Sequence, residues 1–241
     1  MITLKLLLAH MIADYALQTG RIAEEKAKGW KGLFRHLAIV VLASGFLTAG
    51  QFPYWAAWIL LLGVLHLLID QYRTFYIRDL PPARSLAYFV FDQTLHLVTL
   101  MVVALAGAGE TPARVWAVLS QRPCVEGYWV MWGIWGIFLV WTAAVLEMEV
   151  LKAVSYRCQI QPPRRIDPLD RLFGASERLV ATALYLARLG PLFPVAFLPR
   201  LYWAVRWPRP GVSRRAQLVT TLVSALCALA AAVVLDHMLP Q

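Results

Sequence analysis

Four of the chain's five histidines lie inside strongly apolar segments, and three of these have an aspartate four residues away. The pairs are His10 with Asp14, His66 with Asp70, and Asp92 with His96; the fourth histidine is His36. Four residues is just over one helical turn, so each pair shares a helix face. Imidazole and carboxylate together suit divalent metals of borderline softness, Zn2+ first, with Mn2+ and Fe2+ as alternatives. Seven candidate ligands exceed one tetrahedral shell. They fit two ions, or one ion with carboxylates orienting the imidazoles around it. Such a centre polarises a phosphoryl or carbonyl oxygen and activates water. An aspartate left off the metal, whether Asp14, Asp70 or Asp92, is then the natural general base. The competing account is that His and Asp at this spacing satisfy each other as structural glue or a proton-handling network. One pair alone would favour that account; three pairs with His36 favour the metal. Gln18 and Gln93 are placed to join as hydrogen-bonding neighbours.

The elements that carry these residues are apolar helices. The chain has 241 residues, is 60% hydrophobic and has a mean hydropathy of +0.60. Runs this apolar exceed what a soluble core absorbs and read as membrane spans of about 20 residues. We expect spans at 2–18, 33–50, 54–72, 85–107, 128–150 and 216–238. The first carries His10 and Asp14 and has no small-residue cleavage motif, so it is read as a helix rather than a signal peptide. The stretch 176–205 is apolar but interrupted at Gly190, Pro191 and Pro194. Each half is too short to cross a bilayer, so it is read as a re-entrant hairpin. The predicted fold is all-α: a polytopic transmembrane helical bundle of about six spans plus this hairpin. Residues 1–107 form a four-helix His/Asp core and 108–127 an extracytoplasmic loop. Residues 128–241 supply the C-terminal helices of the same membrane domain.

Charge sets the expected orientation. With the N-terminus outside, eighteen of the 23 basic residues fall on inner connections, around 21–35, 73–84, 152–171 and 200–215. Lys5, Arg114 and Arg122 fall outside, a positive-inside pattern. The net charge of +9 is therefore topogenic, and no nucleic-acid partner is expected. Tyr54, Trp55 and Trp58, with Tyr128, Trp129 and Trp132, mark outer interfaces. In this topology most of the His and Asp residues lie within roughly 15 Å of the cytoplasmic boundary. Substrates presented at that leaflet, such as lipid head groups, are the natural ones.

A weak internal repeat relates Leu6, His10, Asp14 and Tyr15 to Leu62, His66, Asp70 and Gln71, each set followed by a span bearing another histidine, His36 or His96. In the outer loop, Thr111-Pro112 reads as a helix start ahead of Val115, Trp116 and Leu119. Cys124, Cys158 and Cys227 are far apart and form no disulfide framework. Glu147 and Glu149 are expected at the interface. Glu177 and Arg178 face either the cavity or an interfacial salt bridge, and His237 beside Asp236 is expected to be solvated. The chain has no phosphate-loop motif, no H-E-x-x-H and no G-x-S-x-G.

Four segments carry a resemblance. They are Leu8-Ala9-His10-x-x-x-Asp14-x-x-Leu17-Gln18, Gly32-Leu33-x-x-His36, Leu65-His66-x-Leu68-Ile69-Asp70 and Phe91-Asp92-Gln93-x-Leu95-His96. They resemble an uncharacterised bacterial membrane family known only as a domain of unknown function, the thirty-three-oh-seven family. The similarity is strongest over 1–105 and extends to Glu177-Arg178-Leu179 and Thr220 to Ser224. It implies no activity. A fainter similarity links His66 to Asp70 with the LexA-binding, inner-membrane-associated metal-dependent hydrolase family, which has Ser at the position of Leu65. The leading expectation is an inner-membrane metal-dependent hydrolase acting on a lipid or lipid-linked substrate. The alternatives are an ion- or proton-coupled transporter and a non-catalytic membrane protein.

Overall fold

In a computed structural model of the chain, residues 1–76, 82–120, 124–157, 168–206 and 214–238 are described. Arg78, Arg122, Cys158, Arg164, Arg165 and Arg209 lie outside them. Among the described residues there is no strand. Helix α1 (Ile2–Met11) runs into a π-helical turn, Ile12–Ala16. Helices α2 (Gly20–Lys28), α3 (Trp30–Thr48), α4 (Trp55–Tyr76) and α5 (Pro82–Val102) follow, the last widening into a second π turn at Val103–Gly107. The short α6 (Pro112–Ser120) precedes α7 (Val125–Ile137), a third π turn (Phe138–Thr142) and α8 (Ala143–Arg157). Then come α9 (Pro168–Leu186), a 3-10 stretch (Gly190–Phe197), α10 (Leu198–Arg206) and α11 (Arg214–Met238).

Among the described residues, five segments are long and apolar enough to cross a membrane: Trp30–Thr48, Trp55–Tyr76, Arg84–Gly107, Val125–Val154 and Gln217–Met238. They match five of the six expected spans to within a few residues. The sixth expectation, 2–18, is met by helix only over 2–16, because the chain turns to enter α2 with Thr19 as its N-cap. Outward side chains such as Leu42 and Phe46, 71% and 86% exposed, are apolar, as lipid-facing positions must be. The interruption expected at Gly190 is present. Helix α9 starts earlier than the hairpin's expected first arm, and it ends where Arg188 adopts a positive φ of 63° before the 3-10 stretch.

The chain divides into two compact units. One comprises Met1–Leu80 and Val90–Ile137, the other Pro81–Phe89 and Phe138–Gln241. In the first, α1 packs on α3 and α7, and α3 packs on α4. Ile2, Leu6, Ile59, Leu62, Leu100 and Val103 form the apolar core. Gly63 permits the α3–α4 approach, since a Cβ there would sit 2.6 Å from a Val41 methyl. Trp55 and Trp58 pack on this core, and the Trp58 ring lies over Gly107, whereas Tyr54 and Trp129 point outward. Glu110 caps α1, accepting from the backbone of Ile2 at 2.9 Å and of Thr3 at 3.2 Å, where a helix start has free N–H groups. Helix α6 begins as expected: Thr111 Oγ1 accepts from Arg114 N at 3.2 Å, Val115 is buried and Trp116 exposed.

The second unit is organised around charge. Arg178 on α9 is fully buried. Its Nε donates to the carbonyl of Leu139 at 2.6 Å, within the third π turn, and its Nη1 reaches Glu147 and the Ser224 hydroxyl. Arg200 bonds Glu147 at 3.0 Å and pairs with Glu177 at 2.7 Å. Gly174 makes room for both guanidinium groups. Glu147 and Glu149 are therefore not simply interfacial. Glu147 bridges two arginines, while Glu149, 6% exposed, holds Ser85 and Lys152. A buried carboxylate persists only with such partners. Arg178→Met leaves Glu147 without its buried partner and should lower stability by about 3–5 kcal/mol. Thermal unfolding of the purified protein in detergent checks this; an unshifted transition would show the pair to be dispensable.

Candidate metal centre

All seven expected site residues meet in the first unit. Helix α1 supplies His10 and its π turn Asp14, α3 supplies His36, α4 His66 and Asp70, and α5 Asp92 and His96. Six are no more than 5% exposed, and the Asp14 side chain is 7% exposed. The π turn, closed by Leu17 N to Ile12 O at 2.8 Å, lies at Asp14 itself. Such wide turns recur at functional positions because they re-aim a side chain without ending the helix.

The donor atoms form two triangles that share the His36–His66 edge. His36 Nε2 is 3.1 Å from His66 Nε2, 3.3 Å from Asp14 Oδ1 and 3.5 Å from Asp70 Oδ2. His66 Nε2 is 3.5 Å from Asp14 Oδ1 and 3.4 Å from Asp70 Oδ2. A tetrahedral ion at 2.0–2.1 Å from its ligands separates them by roughly 3.3–3.4 Å. Each triangle therefore has the spacing of three ligands on one small divalent ion, and Asp14, His36 and His66 form one such set.

Hydrogen bonding accounts poorly for the same contacts. One imidazole N–H explains His36 against His66. Asp14 Oδ1 has three imidazole nitrogens within 3.6 Å, including His10 Nδ1, and no hydrogen bond. His96 has both ring nitrogens buried without a hydrogen-bond partner. Its Nε2 lies 3.8 Å from Asp70 Oδ1 and 3.9 Å from Asp92 Oδ1, and its ring lies 4.1 Å from that of His66. Buried polar atoms in native proteins are nearly always satisfied, so a cluster of orphans marks a place for something else.

Among the described residues, three overlapping sets could hold a metal ion: His10, His66 and His96; Asp14, His36 and His66; Asp70, Asp92 and His96. The repeat-related histidines do not play equivalent parts. His36 shares a set with Asp14 and His66, while His96 belongs to the other two.

The surrounding shell is polar. Gln93 Oε1 accepts from Tyr15 at 2.7 Å and faces His10 Nε2 at 3.3 Å, and Gln93 Nε2 donates to Asp92 Oδ2 at 3.0 Å. Arg73 donates to the same Asp92 oxygen at 2.9 Å. Lys26 Nζ pairs with Asp70 Oδ1 at 2.6 Å and donates to Gln18 Oε1 at 3.3 Å. Lys26 and Arg73 read in the sequence as topogenic charges, and Tyr15 as a repeat position. What could have separated Lys26 from its neighbours is the amphipathic pattern of α2, on which Lys26 is buried while Ala27 and Lys28 are exposed. Glu25, next to Lys26, is held by Arg21 and Arg35. Burial pushes its carboxyl up, and the two guanidinium groups outweigh that and hold it below the usual range.

Residues 2–121 match the profile of a family described as a protein of unknown function, DUF3307, and the chain belongs to that family. The matched stretch contains every residue of the centre. No curated protein and no solved structure matches the chain. The matched profile is that of the unknown-function family, not that of the LexA-binding hydrolase family.

Cobalt(II) added to the purified protein should report the donor geometry directly. A tetrahedral site gives strong visible absorption, whereas an octahedral one gives little. We expect the strong spectrum in the wild type and its loss in His36→Ala, with helical circular dichroism unchanged.

Proposed function

We propose that this member of the family is an integral-membrane, metal-dependent hydrolase acting on a lipid or lipid-linked substrate. The observation that carries the proposal is the close set Asp14 Oδ1, His36 Nε2 and His66 Nε2, with Asp70 Oδ2 beside the same two imidazole nitrogens. A divalent ion held there, zinc first and manganese or iron as alternatives, supplies Lewis acidity and lowers the pKa of a water. Each of the two carboxylates presents one oxygen to the imidazole nitrogens that would share the ion with it.

The chain's own residues divide the remaining work. Asp92 keeps Oδ1 free of hydrogen bonds while Arg73 and Gln93 hold Oδ2. It is oriented to take a proton from the attacking water and is assigned as general base; Asp14 and Asp70 are assigned as ligands. His10 and His96 stand on the other side of His66, where they orient water or hold a second ion. Tyr15 fixes the Gln93 amide. The bias of basic residues supports a multi-pass protein of the bacterial inner membrane with its N-terminus outside. The centre then faces the cytoplasmic leaflet.

Elemental analysis of protein purified without a histidine tag or added metal tests the ion. About one equivalent per chain is expected for the four-donor set, with loss in His66→Ala. Protein that binds no divalent ion even on titration would overturn the proposal. Asp92→Asn should keep its metal and lose about 10²–10⁴-fold in turnover of lipid substrates. Turnover in detergent without a gradient is expected. Flux in proteoliposomes that needs Asp14 and Asp70, without turnover, would assign ion- or proton-coupled transport instead.

A further inference from the structure

Two cations reach into the centre, Lys26 from α2 and Arg73 from α4, and neither belongs to the donor set. Lys26 is only 8% exposed, and its ammonium sits on Asp70 Oδ1, the oxygen turned away from His36 and His66. Arg73 sits on Asp92 Oδ2, with its side chain 46% exposed. Asp70 Oδ1 and Asp92 Oδ1 stand at nearly equal distances from His96 Nε2, so the two ion pairs flank the imidazole whose nitrogens have no hydrogen-bond partner.

Charge gives these cations a purpose. Asp14, Asp70 and Asp92 face Lys26 and Arg73, so with neutral imidazoles the centre is one positive charge short. A single divalent ion overshoots that deficit and leaves one positive charge in excess. Net charge buried in an apolar helical bundle is costly, and an anion removes the cost. A buried lysine is also an expensive way to neutralise a carboxylate that a metal would neutralise by itself.

The fold invests in holding Lys26. Thr19 caps α2, and Glu25 is fixed by Arg21 and Arg35. Gly32 at the start of α3 lies against the backbone of Glu25 and Lys26 so closely that a Cβ there would clash with it. The turn between the two helices uses Gly29 at φ 140°, a conformation side chains disfavour. Helix α2 is thus pressed onto α3 with Lys26 directed inward.

We propose that Lys26 and Arg73 form the anion-recognition pair of this centre and that its substrate carries a phosphate group. The inference rests on the metal-dependent hydrolase reading above. Lysine and arginine beside a divalent ion are a phosphate-binding combination: the ammonium acts as a point charge and the guanidinium as a directional donor. Phosphate is also the group that lipid head groups present at the membrane surface. When it binds, Lys26 shares its protons between Asp70 and a phosphate oxygen, and the half-exposed Arg73 meets the phosphate from the open side.

The test uses the full chain in detergent, loaded with Zn2+, and calorimetric titration with inorganic phosphate and with acetate. Phosphate should bind only after metal loading and more tightly than acetate. Lys26→Met should retain its ion yet weaken phosphate by about tenfold or more, the worth of one charged hydrogen bond, and Lys26→Arg should restore most of it. Arg73→Gln, at a half-exposed position, should keep the fold and the ion and weaken phosphate several-fold, so the proposal can still fail if Lys26→Met does not survive purification. Phosphate affinity unchanged in these variants, or acetate binding as tightly as phosphate, would overturn it. A wild type that takes up no metal would instead sink the hydrolase reading, and this inference with it. Phosphatidic acid in mixed micelles supplies the second arm. Tighter binding than inorganic phosphate assigns the lipid head group, equal binding assigns a soluble phosphate ester, and binding of neither overturns the phosphate class.

Discussion

Carboxylates buried among apolar helices must have a positive partner, and that constraint organises this protein. A carboxylate stripped of water is destabilised by far more than a helix–helix contact can return. Each buried acid here is accordingly approached by a cation or an imidazole: Asp70 by Lys26, Asp92 by Arg73, Asp14 by three histidines, Glu147 by Arg178 and Arg200. The two units satisfy the constraint in different ways. In the second, arginines match the glutamates and bond the backbone as well, and the result is a brace between α8, α9 and α10. In the first, imidazoles do much of the matching. An imidazole offers a lone pair as readily as a proton, so the same packing leaves room for an ion.

That difference explains why the first unit is the functional one in our account. An Arg–Glu brace has one stable arrangement and resists change. A cluster of neutral imidazoles and carboxylates has several, because protons and metal ions compete for the same lone pairs. The orphaned nitrogens of His96 and the crowded oxygen of Asp14 are the structural trace of that competition. Around them, Gln93, Tyr15 and Gln18 supply fixed dipoles, which keep the donors aimed whichever cation is present.

Much of this was legible in the residues themselves. His and Asp at four-residue spacing in apolar segments announced both helix and site, since only one helix face can carry both. Five spans were legible because lipid demands long apolar runs, and a run of that length is unmistakable. Three things were hidden. The first helix ends at Ala16, although its apolar pattern continues to Leu17, because the chain must turn into α2. As a charge Lys26 looked like its neighbours Lys28 and Lys31; the amphipathic pattern of α2 marks its face, and the close packing of α2 on Gly32 sets that face inward. Glu147 looked interfacial because its partners, Arg178 and Arg200, lie more than thirty residues away in sequence. Local pattern carries no record of such long-range pairing.

The widened turn at Ile12–Ala16 has a further consequence for how this chain can vary. A π turn holds one more residue than the α-helical turn it replaces, so the first helix contains a local insertion that its hydrogen bonds absorb. Because the turn absorbs the extra residue, the chain before and after it keeps its register. A deletion between His10 and Asp14 would close the turn to regular α-helix and displace the residues within it, Asp14 among them, while the flanking turns stayed in line. Length in this segment is therefore constrained at the donor itself, and substitutions at Ile12 or Ala16, which leave the length alone, alter only packing.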